Sequence, residues 1–211
     1  MKLSYHDLTQ RVCARLNNAP TRVIIGITGS PGAGKTTLAE QLVSRLAGEL
    51  GSAQVGHVPM DGYHLADVAL DRLGLRDRKG APATFDAEGY VALLRRLREN
   101  ADPVIYAPGF DRVIEQPIAG SIAVPRAARV IVTEGNYLLL DGPWAGARAL
   151  VDEVWFCRPD ENVRLERLLA RHVEFGKTPE AAVAWMASTD QPNADAIAAT
   201  LDHADLVVQV D

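Results

Sequence analysis

Cysteine is nearly missing from this chain of 211 residues, which carries only Cys13 and Cys157. The two lie far apart and have no metal-ligand spacing, which argues against a disulfide scaffold or a cysteine metal centre and predicts two reduced thiols. Excess positive charge is missing too. Lys and Arg number 22 against 27 Asp and Glu, a net charge of −5, so no nucleic-acid partner is expected. No apolar run is long enough to span a bilayer, and the stretch from Met1 to Asp7 has no apolar leader core. A cytoplasmic protein without a membrane partner is the expectation. Repeats, low-complexity tracts and linkers are lacking, and the length suits a single domain over residues 1–211.

What is present is a glycine-rich loop of one specific form. Gly29-Ser30-Pro31-Gly32-Ala33-Gly34-Lys35-Thr36-Thr37 follows the apolar run Val23 to Thr28 and precedes a helical pattern over Leu38 to Leu46. Glycines let successive backbone N–H groups converge on one anion, and the helix N-terminus adds partial positive charge. Lys35 can reach the outer phosphates as a point charge, and the Thr36 hydroxyl suits a Mg²⁺ ligand. The nine residues therefore predict binding of a nucleoside triphosphate.

Elsewhere, periodicity predicts helices over 4–17, 87–100, 160–175, 179–188 and 194–201. Strands are expected over 23–28, 54–59, 104–106, 129–133, 153–157 and 205–210, with a break at Pro20-Thr21. Residues 112–124, interrupted by Pro117 and Gly120, read as a hairpin or an extended excursion. Strands alternating with helices, several of them continuously apolar, argue for a parallel sheet covered on both faces.

The guanine-reading Asn-Lys-x-Asp pattern is absent, and Val132-Thr133-Glu134-Gly135 lacks the Asp-Glu pair usual where an ATPase activates water. A kinase instead needs a base for the acceptor hydroxyl, a metal site and cations over the transferring phosphoryl group. Asp61 and Glu134 each end a predicted strand, and in parallel sheets ligands bind at that edge. Asp61 is a candidate base or the cap of a following helix; Glu134 is a candidate metal carboxylate or a residue ordering Thr36. Arg164, Arg167 and Arg171 share one helix face, for phosphate contact or for pairing with Glu166 and Glu174 in solvent.

Three segments carry a resemblance: Met60-Asp61-Gly62-Tyr63-His64-Leu65, Arg78 to Asp86, and Thr133-Glu134-Gly135-Asn136-Tyr137-Leu138-Leu139. With them the chain resembles the P-loop kinases of small metabolites, the group of uridine kinase, pantothenate kinase and phosphoribulokinase. Ala107 to Arg112 and Asp190-Gln191-Pro192-Asn193-Ala194 are similar to bacterial proteins described as fructose-transport-system kinases or fructokinases.

The resemblance implies a three-layer α/β/α sandwich with a mainly parallel five-stranded sheet and a helical lid over about 160–178. The strand ending at Glu134 would lie between the loop strand and the one ending at Asp61. It implies ATP and Mg²⁺ as cofactors, Asp61 as base, Lys35, Arg167 and Arg171 on the transferring group, and Thr36 with Glu134 on the metal. Tyr63, His64, Arg78, Tyr106, Phe110, Asp111 and Arg112 would line the acceptor side, within an excursion of about 60–125.

Alternatives stay open: Arg78-Lys79 as a solvated loop tip, Tyr106 as a core residue, and Asn193 as an adenine contact or a helix cap. The expected acceptor is a small molecule, first a sugar such as fructose; a nucleoside, pantothenate or a sugar phosphate are alternatives. A further alternative is an ATP-binding regulator without phosphoryl transfer. The oligomeric state is open, a homodimer included.

Overall fold

The computed structural model describes residues 3–19 and 21–209. Pro20 and Val210, which entered the expected break and terminal strand, lie outside the described residues. The chain runs α1 (Tyr5–Asn18), β1 (Val23–Thr28), α2 (Lys35–Leu50), β2 (Val55–Pro59), α3 (Asp67–Leu73), α4 (Ala87–Glu99), β3 (Val104–Asp111) and β4 (Gln116–Pro125). It continues with β5 (Val130–Glu134), α5 (Ala145–Arg148), β6 (Glu153–Cys157), α6 (Glu161–Glu174), α7 (Pro179–Trp185), α8 (Gln191–Ala198) and β7 (Leu206–Val208). No helix among the described residues is long and apolar enough to cross a membrane.

Five strands form one parallel sheet in the order β2-β5-β1-β6-β7. β1 and β5 are buried at every position, as continuous apolar runs require when helices cover both faces. On one face α1 and α2 pack Leu8, Val12, Leu38, Leu42 and Leu46 against Val23, Ile25, Val130 and Val132. On the other, α4 packs Tyr90, Leu94 and Leu97 against Ile24, Val58 and Ile131.

Register decides what stands at the carboxyl edge. Ile27 is level with Glu134, and Glu134 is level with Pro59. Gly29, Glu134 and Asp61 therefore come to the same edge from three adjacent strands. A relay fastens two of them: Thr133 Oγ1 donates to the Val58 carbonyl at 2.6 Å and receives Tyr90 OH at 2.7 Å. All of these groups are buried, so the relay ties α4, β5 and β2 together just below the edge.

Several expectations change at the level of elements. The short strand expected over 104–106 extends to Asp111 and pairs antiparallel with β4, so the excursion is a long hairpin separate from the main sheet. Gly62 explains its approach: a Cβ there would lie 2.2 Å from the Pro108 carbonyl oxygen, so only glycine lets the Asp61 turn abut the hairpin. The helix expected over 179–188 ends at Trp185, passes through a π-helical stretch over Met186–Asp190, and continues directly into α8. α3 had no counterpart in the sequence reading, because seven residues give too short a period to detect.

Candidate active site

The loop between β1 and α2 takes positive φ at Gly29 (145°), Gly32 (82°) and Gly34 (84°). At Gly32 the reason is doubled, since a Cβ would stand 2.7 Å from the Arg164 carbonyl oxygen. Lys35 opens α2 and is buried, with Nζ donating to the Ser30 carbonyl at 3.0 Å across the loop. Burial pushes its proton affinity down, against the pull of Glu134. An anion beside it would restore the balance, so the loop is a built cradle for phosphate.

Thr36 Oγ1 donates to Glu134 Oε1 at 3.0 Å, joining the first turn of α2 to the end of β5. Glu134 is only 4 % exposed. Burial first, then the facing Asp61 carboxylate, raise its pKa from 4.5 to about 7. A carboxylate held this way gains most from a divalent cation. Among the described residues no group of three or more His, Cys, Asp or Glu side chains is arranged to hold a metal. Thr36 and Glu134 therefore fit a cation that keeps water and takes its other oxygens from bound phosphate, as Mg²⁺ does.

Asp61 lies on the single 3₁₀ turn that follows β2, and its carboxylate accepts from Arg112 Nη2 at 2.6 Å. It caps no helix. The Asp61 carbonyl accepts from His64 Nδ1 at 2.9 Å, and since a carbonyl only accepts, that nitrogen carries the proton. Burial lowers the His64 pKa, which keeps the ring neutral, with Nε2 as an acceptor. The ring sits between Phe85 (3.9 Å) and Phe110 (4.8 Å).

These groups open onto one cavity of about 450 Å³. Its lining includes Lys35 and Thr36 of α2, Glu134 of β5, Asp61 and His64 from the turn after β2, Phe110 and Arg112 from the hairpin, and Arg171 and Asn193 of α6 and α8. Arg171 is open to solvent there but ringed by protein. That partial desolvation, and then the nearby charge of Arg112, push its proton affinity down.

Arg164, on the helix side that faces the loop, is 3 % exposed and uses its donors within the protein: on the Pro31 carbonyl at 3.0 Å, on Glu161 and on Gln191. It binds α6 to the phosphate loop. Arg167 stands above the loop, its Nη1 3.7 Å from the position of a Cβ on Gly34.

Four residues expected on the acceptor side do not line the cavity. Tyr63 packs edge-on against Tyr90 at 5.5 Å, and burial raises its pKa to about 12. Asp111 Oδ1 accepts from the backbone N–H groups of Val113 and Ile114 and so shapes the hairpin turn. Tyr106 is 62 % exposed on the hairpin and is not the core residue its alternative suggested. Arg78 is exposed, as the loop-tip alternative had it, whereas Lys79 reaches back to Asp67 and the Glu115 carbonyl and lines the cavity.

Sequence reasoning missed the pair His172 Nε2–Asp190 Oδ2 at 2.7 Å, which joins α6 to the stretch before α8 beside the cavity. It likewise missed Glu115, Phe85, Lys177 and Trp185 on the wall. Asp190 stood in a segment already singled out, but its partner lies 18 residues away and leaves no local signal.

Residues 24–211 match the Phosphoribulokinase / Uridine kinase family. A candidate uridine kinase of Schizosaccharomyces pombe is 34% identical over 213 residues, covering 98% of this chain and 90% of its own. An ATP-dependent kinase-like protein of Aspergillus versicolor is 43% identical over 148 residues, 65% of this chain and 86% of that protein. The crystal structure of a candidate fructose transport system kinase from Silicibacter sp. TM1040 superposes with a TM-score of 0.86 at 36% identity, covering 97% and 98% of the two chains.

Proposed function

The chain belongs to the Phosphoribulokinase / Uridine kinase family and is a P-loop kinase; from that premise we propose that it transfers the γ-phosphoryl group of ATP to a hydroxyl of a small polar metabolite. A sugar such as fructose is the first candidate acceptor, and the reaction belongs to the cytoplasm, where ATP is supplied. The observation that carries the reading is the convergence of Asp61 with Lys35, Thr36 and Glu134 on one cavity.

In the proposed reaction the loop N–H groups and Lys35 hold the phosphates. Asp61 accepts the proton of the acceptor hydroxyl as its oxygen bonds to the γ-phosphorus and the bond to the ADP oxygen breaks. Arg171, with Arg167 behind it, balances charge spread over the transferring group. Mg²⁺ held by Thr36 and Glu134 would neutralise charge on the phosphate oxygens. α6, with the residues after it to about 178, acts as a lid, and its closure keeps water from competing. Neutral His64 offers Nε2 as an acceptor for a second hydroxyl.

Fructose is supported by the name of the Silicibacter protein alone. Arg76, Lys79 and Arg112 on the cavity wall favour a second reading, an acceptor that already carries phosphate. The test is phosphorylated product from ATP across sugars, sugar phosphates, nucleosides and vitamin precursors. Product from an alcohol supports the reading and names the acceptor; tight ATP binding with no product from any candidate replaces it with a nucleotide-binding regulator.

A further inference from the structure

The proposed base is engaged at one of its two oxygens. Arg112 Nη2 lies 2.6 Å from Asp61 Oδ2, and Arg112 is the only cationic side chain bonded to that carboxylate among the described residues. The pair is half-open to water, Arg112 at 45% and Asp61 at 24% side-chain exposure, so it contributes little to stability and is readily exchanged.

The backbone under Arg112 is held firmly. Asp111 Oδ1 accepts from Val113 N at 2.8 Å and Ile114 N at 3.2 Å, and Lys79 donates to the Glu115 carbonyl. The guanidinium also lies over the Phe110 ring, 5.5 Å from its centroid. Leaving Asp61 thus requires only side-chain rotation about a fixed turn. The charge of Arg112 already bears on Arg171 and Glu134, so the phosphoryl-transfer space is within its electrostatic reach.

We propose that Arg112 is a displaceable guard on Asp61, released when an acceptor hydroxyl takes its place on the carboxylate. The proposal rests on Asp61 being the base. Its chemical point is the suppression of hydrolysis. An unguarded carboxylate in this cavity can take a proton from water while the water oxygen bonds to the γ-phosphorus and the bond to the ADP oxygen breaks, which releases phosphate and ADP. With the guanidinium in place, one lone pair of Oδ2 is engaged and a positive charge stands where the proton of an attacking water would have to arrive. Arg112 is therefore a positioning residue that makes base availability depend on the acceptor, and the freed cation can turn toward the phosphate oxygens once the acceptor is bound.

The test measures phosphate released from ATP with Mg²⁺ and no acceptor, in wild type, R112M, R112Q, R112K and the double variant R112M/D61N. R112M and R112Q should raise hydrolysis by about tenfold or more, R112K should stay near wild type, and the double variant should return to the wild-type rate or below. Unchanged or lower hydrolysis in both neutral variants overturns the proposal, as does a rise that survives D61N. A hairpin that merely needed Arg112 for its shape would not lose the gain when Asp61 is removed. Failure of the parent reading looks different: with the acceptor mixture supplied, D61N would still form phosphorylated product.

Discussion

Glu134 Oε1 and Thr36 Oγ1 share a hydrogen bond of 3.0 Å, so the end of β5 and the first turn of α2 are joined at the proposed cation site. The carboxyl is buried, and its pKa is raised from 4.5 to about 7. In metal-free protein the folded chain then holds a proton across that interval that the unfolded chain has released. The stabilisation is complete below pH 4.5 and is lost as pH rises through 7, up to about 3 kcal/mol if the full shift is expressed. Thermal unfolding in chelator should show wild type losing several degrees relative to E134Q between pH 5 and pH 7.5. Added Mg²⁺ with ATP should flatten the difference. Parallel curves for the two proteins in chelator would remove the buried titration.

Asp61 is open to the cavity and its substitution need not disturb the fold. Asp61→Asn should leave ATP affinity nearly intact while phosphorylation of the best acceptor falls by about two to four decades. Calorimetric titration of ATP together with product formation checks both halves. Near-normal turnover would exclude it as the base.

Two arginines about two helical turns apart should behave differently. Arg164 is buried with its donors spent on Pro31, Glu161 and Gln191, so Arg164→Ala strands a loop carbonyl and should cost about 1–3 kcal/mol of stability, with weaker ATP binding. Arg171→Ala removes a cation from the cavity wall and should lower turnover without a matching loss in the unfolding midpoint. Equal midpoints for the two variants would contradict this division.

Gly62→Ala places a methyl 2.2 Å from the Pro108 carbonyl oxygen. The hairpin and the Asp61 turn must then separate, at a cost of about 1–3 kcal/mol. Because Arg112 rides on that hairpin, acceptor-free ATP hydrolysis should rise as well. A variant with wild-type stability would show that the contact yields easily.

Much of this was legible in the residue string, for local reasons. The loop Gly29 to Thr37 specifies its own backbone, since glycine spacing sets where φ turns positive. β1 and β5 announce themselves as continuous apolar runs, and their ends place Gly29 and Glu134 at one edge. The acceptor side was less legible. Tyr63, Arg78, Tyr106 and Asp111 are chemically suited to a polar ligand, and nothing in their spacing tells that one packs on Tyr90, two face solvent and one shapes a turn.

Arg164 makes the same point from the other direction. Its helical spacing with Arg167 and Arg171 is regular, yet Pro31, 133 positions earlier, captures its guanidinium. Sequence alone determined the parallel sheet, the anion cradle and the carboxylates at its edge, because each depends on short-range pattern and backbone geometry. The Asp61–Arg112 pair, the Arg164 clasp and the His172–Asp190 link were decided only by the tertiary structure. They join segments 51, 133 and 18 residues apart, and only packing brings such partners within hydrogen-bond reach.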